Sequence, residues 1–150
     1  MSHTEKPKAV IAKWDQARTY VMAEGEYVGI VTSAAETGGA FVISNGILGP
    51  GSDVPNHYHK WEDQTFHIIE GTLTATIGDE TVEIGPGDSV YCPRGVPHYM
   101  KNTGDVTAKM ISYIYPGDKA EAFMAETSRQ LTTGAFDLTK IEEEFGVVYL

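Results

Sequence analysis

Two histidines separated by one residue, His57 and His59, lie in an extended run, and Gln64 follows five residues after the second. Side chains at positions i and i+2 of a strand leave the same face, so both imidazoles can point inward together. A third histidine, His98, comes from a distant stretch of the chain. Donors converging from several rigid strands are what a divalent transition metal needs, with coordination positions left over for water or substrate. Three imidazole nitrogens and an amide oxygen suit iron, manganese, nickel, cobalt or zinc, and affinity order alone does not choose among them. A histidine pair in a strand also occurs as ordinary polar residues, so the surrounding chain decides.

Those surroundings are short apolar or β-branched runs cut by glycine and proline. Strands are expected at 27–32, 40–48, 57–59, 65–69, 73–77, 81–84, 89–91, 98–102 and 107–115. Many short strands at this spacing predict a sandwich or small barrel rather than a parallel sheet. Past Pro116 the pattern changes. Apolar residues at Ala120, Phe123, Met124 and Leu131 predict a helix over 118–131. Thr139 and Glu142 have capping-box spacing, opening a short helix that ends at Gly146. Both helices are expected to cover an end or a face of the barrel. The first ten residues are expected to fray, with His3 among them.

Around the histidines the residues fall into two longer patterns. Gly51 is followed by five residues, then His57-Tyr58-His59, four residues, Gln64, six residues and Gly71. Gly87 is followed by five residues, then Pro93-Arg94-Gly95, two residues, His98, three residues and Asn102. Together they resemble the two motifs of the cupin superfamily and span residues 51–102, about a third of the chain. The resemblance implies one all-β domain over 1–150, a double-stranded β-helix (jelly-roll barrel) over about 27–116, with short C-terminal helices over about 117–150. It also implies a metal on His57, His59 and His98, with position 64 as fourth ligand. Among cupins the chain is similar to single-domain proteins related to quercetin dioxygenases.

At position 64 the sequence departs from the family, whose ligand there is glutamate. A neutral amide leaves the dication uncompensated, which strengthens it as a Lewis acid and makes its oxidation harder. Gln64 also cannot serve as a base; Glu62, Asp63, a metal-bound hydroxide or the substrate would have to. A one-residue slip that brought Asp63 inward would turn Phe66 outward as well. Gln64 and Glu62 are therefore the candidate catalytic side chains. Phe66, Ile68, Met100 and Trp61 are expected to line an apolar substrate pocket. His67, an odd number of positions from Gln64, should face away from the metal, and Cys92 should be a small buried side chain.

The resemblance favours a quercetinase-like dioxygenase acting on a small aromatic or enolisable oxygenated molecule. A redox-neutral cyclase, lyase or isomerase is the alternative, and a non-catalytic ligand-binding cupin a further one. A formal net charge of -10, from 11 basic and 21 acidic residues, argues against nucleic acid and anionic membranes as partners. A single cysteine excludes an intrachain disulfide, and the N-terminus has no apolar run of signal-peptide length. The expectation is a cytoplasmic protein, with a homodimer implied by resemblance.

Overall fold

Alternation with a period of two is the dominant pattern of the chain, and it produces two facing antiparallel sheets in the computed structural model, which describes residues 8–150. His3 and most of the start expected to fray lie outside the described residues. In chain order the elements are β1 (Arg18–Ala23), β2 (Glu26–Thr32), α1 (Ala34–Thr37), β3 (Val42–Leu48), β4 (Asp53–His59), β5 (Asp63–Glu70) and β6 (Leu73–Ile77). They continue with β7 (Glu80–Ile84), β8 (Ser89–Cys92), β9 (His98–Lys101), β10 (Ala108–Tyr115), α2 (Ala120–Thr133), α3 (Leu138–Phe145) and β11 (Val147–Tyr149). One sheet has the order β1-β2-β3-β10-β5-β8 and the other β11-β4-β9-β6-β7. Their inward faces form the jelly-roll interior, which bears out the all-β double-stranded β-helix.

The interior is packed from both ends. Leu48, Phe66, Ile68, Leu73, Met100 and Met110 belong to one buried cluster between the sheets. Ile30, Val42 and Ile114 form another with Phe123 and Met124 of α2 and Ile141 and Phe145 of α3. The helices therefore cover one end of the barrel with their apolar stripes.

Two strands and a short helix escaped the sequence pattern. β1 and β11 have no strict alternation of their own and are fixed by pairing, β1 with β2 and β11 with β4. α1 is a single turn held by a capping box between Ser33 and Glu36. The capping box expected at Thr139 does not form. Asp137 caps α3 instead, its carboxylate accepting from the Lys140 amide at 3.0 Å, and Thr139 falls inside the helix. A carboxylate two residues earlier satisfies an orphan amide of the first turn and starts the helix sooner.

Gly71 illustrates how tightly the turns are specified. It joins β5 to β6 with φ at 77°, and a Cβ there would lie 2.8 Å from the Ala108 Cα. Only glycine meets both conditions. Asn102, fully buried, donates to the Leu48 and Val106 carbonyls and accepts from the Gly104 amide. It thereby fixes the exit of β9, the strand that carries His98.

Candidate metal centre

His57 and His59 project from β4 into the barrel, and His98 lies directly opposite His57 on the neighbouring β9. Between Val54 and His57 the ladder carries one extra residue on β4. Pro55 sits in this bulge, where its missing amide proton costs no ladder bond. Gln64 comes from the other sheet, on β5. Its amide nitrogen donates to Ser112 Oγ on β10 at 3.0 Å, which turns the side chain. The three histidines from one sheet and Gln64 from the other line one cavity.

The hydrogen bonds on the imidazoles decide which nitrogen faces inward. His57 Nδ1 donates to the Pro55 carbonyl at 2.7 Å and His98 Nδ1 to the Val96 carbonyl at 3.4 Å. A carbonyl can only accept, so the proton sits on Nδ1 and Nε2 keeps a free lone pair. His59 Nδ1 faces the buried Glu62 carboxylate at 3.1 Å, with the same result. His59 Nε2, His98 Nε2 and Gln64 Oε1 are all buried without a hydrogen-bond partner among the described residues. Buried polar atoms left empty in this way are rare and costly, and a cation held by the histidines would satisfy their nitrogens.

One ligand atom from each histidine lies within 4.8 Å of the others. Burial, with the other two imidazoles nearby, holds His57 well below the usual histidine range. The same desolvation, with His59 adding repulsion, lowers His98 to about 4. Both rings are consequently neutral at physiological pH, the form that binds metal. The residues present fit one divalent transition metal.

The donors open on a cavity of about 110 Å³ with mainly apolar walls, among them Val28, Leu48, Phe66, Met100 and Met110. Phe123 and Met124 close it from α2, with the Phe123 ring 6.2 Å edge-on from His59. Tyr149 of β11 adds an aromatic wall, its ring 5.6 Å from His57.

Residues 46–114 match the cupin domain family model. They form a cupin domain. The chain is 33% identical over 69 residues to the tetracenomycin polyketide synthase protein TcmJ of Streptomyces glaucescens, covering 46% of each chain. It is 28% identical over 88 residues to quercetin 2,3-dioxygenase of Bacillus subtilis, covering 57% of this chain and 26% of that one. The match thus spans less than half of either relative. Among solved structures, the polyketide cyclase RemF of Streptomyces resistomycificus superposes with a TM-score of 0.64 at 20% identity, covering 73% of this chain and 80% of that one. At that identity the likeness is one of fold.

Within this cupin the structure places the other expected site residues as follows. Phe66 and Met100 line the cavity, while Ile68 does not. Ile68 points inward but is consumed by the core cluster with Leu73 and Ile84, further along the barrel. Trp61 is a second correction. It is partly exposed, packs against Gly146 and lies under the Lys119 ammonium at 4.8 Å, away from the cavity. Glu62 is a third: its carboxylate lies against His59 Nδ1, where it orients the ring, and it is not among the residues lining the cavity. Asp63 points outward to Arg94, whose guanidinium donates to it at 3.0 Å and helps hold its carboxyl below the usual range.

His67 is not among the residues lining the cavity and shares a 2.6 Å hydrogen bond with Ser89. Cys92 is buried in the core, and desolvation pushes its thiol up to about 12. Sequence reasoning missed Glu26, Ser112, Phe123 and Tyr149. For Glu26 the signal existed, because it shares the inward parity of Val28 and Ile30.

Among the described residues no helix is long and apolar enough to cross a membrane.

Proposed function

We propose that this chain is a metal-dependent cupin enzyme of the redox-neutral kind, acting on a small enolisable or phenolic oxygenated molecule. The observation that carries the reading is the buried, unpartnered Gln64 oxygen lining the same cavity as the three histidines. With Glu62 behind His59 and Asp63 on Arg94, no carboxylate joins the donor set. A bound dication would polarise a substrate oxygen and stabilise the negative charge that develops there. Neutral donors favour that work over metal oxidation.

The chain's own residues supply the rest. Three backbone and carboxylate acceptors hold the imidazoles in one tautomer, and Ser112 holds the Gln64 amide. Apolar walls from both sheets and α2 exclude water, which strengthens every polar contact inside. The likeness to TcmJ and the shared fold with the cyclase RemF fit this reading. A second reading, a quercetinase-like dioxygenase, draws on the likeness to quercetin 2,3-dioxygenase.

The test is elemental analysis of untagged protein with His98→Ala as control, followed by turnover of hydroxylated aromatic ketones with and without air. One equivalent of metal, lost in the variant, with turnover unchanged anaerobically, is the expected result. Turnover that stops without oxygen moves the assignment to the dioxygenase. Metal in neither protein would sink both and leave a ligand-binding cupin.

A further inference from the structure

Glu26 opens β2 and faces the barrel interior with Val28 and Ile30. It is 7% exposed, lines the same cavity as His57 and Gln64, and its Oε2 has no hydrogen-bond partner among the described residues. Apart from the histidines of the metal centre, no basic side chain lines that cavity. A carboxyl buried without a cation or a donor is costly and rarely left so. Asp53 at the start of β4 adds like-charge repulsion. Burial, with this repulsion, pushes Glu26 up to about 8. At neutral pH the group is a carboxylic acid, able to donate one hydrogen bond and accept others.

The location defines the ligand. Glu26 lies at the turn between β1 and β2, at the end of β2 that pairs with Leu48 on β3. Tyr149, in register with His57 on β11, feels the charge of Glu26, and its phenol is pushed up to about 12, chiefly by burial. Both groups are therefore neutral, and the apolar side chains of Val28, Leu48 and Met110 line the same cavity.

We propose that Glu26 is a substrate-recognition group that donates a hydrogen bond to a second oxygen of a dioxygenated, flat apolar molecule whose first oxygen faces the histidines. This deepens the function proposed above and rests on it. The ligand class is an aromatic hydroxy-ketone with an additional hydroxyl or carbonyl remote from the metal-facing pair. A molecule lacking that remote oxygen would leave Glu26 unpaired in the complex, which is how buried polar groups discriminate strongly.

The experiment uses zinc-loaded protein and two probes: an acetophenone with hydroxyls ortho and para to the ketone, and its analogue without the para hydroxyl. Wild type should prefer the first by roughly tenfold, the loss expected for one buried hydrogen bond. Glu26→Ala should bind both alike, and Glu26→Gln, which keeps a neutral donor, should recover part of the preference. Infrared spectra of the zinc-loaded protein near pH 7 give an independent reading. A protonated-carboxyl band should be present, vanish in Glu26→Gln, and shift when the para-hydroxylated probe is added. Equal binding of the two probes by wild type, or a band that is absent or does not move, overturns the proposal. Failure of the metal-enzyme reading is seen separately, as wild-type protein that retains no metal.

Discussion

The Glu62 carboxylate lies 3.1 Å from His59 Nδ1, with both groups buried on the side of the ring away from the cavity. This contact fixes the tautomer and orientation of the His59 ring, leaving its other nitrogen free to face inward. Glu62 is thus a positioning residue. Replacing it by Gln keeps the acceptor and removes the charge, so metal affinity should fall by about tenfold, the lower end for such outer partners. Competition with a chromophoric chelator measures this. Unchanged affinity in both Glu62→Gln and Glu62→Ala would show that the contact is incidental.

Gln64 sets the charge of the donor set. Gln64→Glu should bind the metal more tightly, by about tenfold or more, because a carboxylate compensates the dication. The same variant should lower turnover, since a partly neutralised ion polarises substrate less. A variant with higher turnover would contradict the role assigned to the neutral amide.

Glu26 makes stability depend on pH with a definite sign. Its folded value is raised to about 8 from 4.5, so the folded state holds a proton that the unfolded state releases. The associated stability is fully present below the unfolded value and is lost as pH rises through the folded one. Denaturant unfolding of metal-free protein should therefore weaken by about 4 kcal/mol between about pH 5 and about pH 9. Glu26→Gln should flatten that slope and be the more stable protein at the alkaline end. Parallel curves for the two proteins would exclude this account.

Gly146 ends α3 in the left-handed conformation, with φ at 68°, and a Cβ there would stand 2.7 Å from the Trp61 ring. Its carbonyl also accepts from the Lys60 amide at 2.7 Å, tying the end of α3 to the exit of β4. Gly146→Val should cost about 2 kcal/mol or more through strain and lost packing. Thermal unfolding should show a midpoint lower by roughly 5 °C. An unchanged midpoint would mean that the α3–β11 junction relaxes freely.

What the sequence determined by itself was local. The i, i+2 spacing places His57 and His59 on one strand face, and glycine and proline spacing marks the turns on either side. The resemblance of the motifs around Gly51 and Gly87 to those of the cupin superfamily brought His98 into the same centre and implied the jelly roll. Parity then turned Gln64 and Phe66 inward and His67 outward. Each of these depends on backbone geometry over a few residues, or on a spacing that is printed in the chain.

The tertiary structure decided everything that depends on what stands opposite. Ile68 and Phe66 have the same parity and share one core cluster, yet only Phe66 lines the cavity. Glu62 adjoins the ligand strand in sequence, but the turn after β4 folds it behind His59. Trp61 was drawn to Gly146 by a helix end more than eighty residues away. Ser112, Phe123 and Tyr149 reach the site from β10, α2 and β11, elements whose placement rests on sheet pairing and on burial of an apolar helix stripe. Hydrophobic burial is non-directional. A single chain therefore shows which faces must be covered, and only the folded barrel shows which residues cover them.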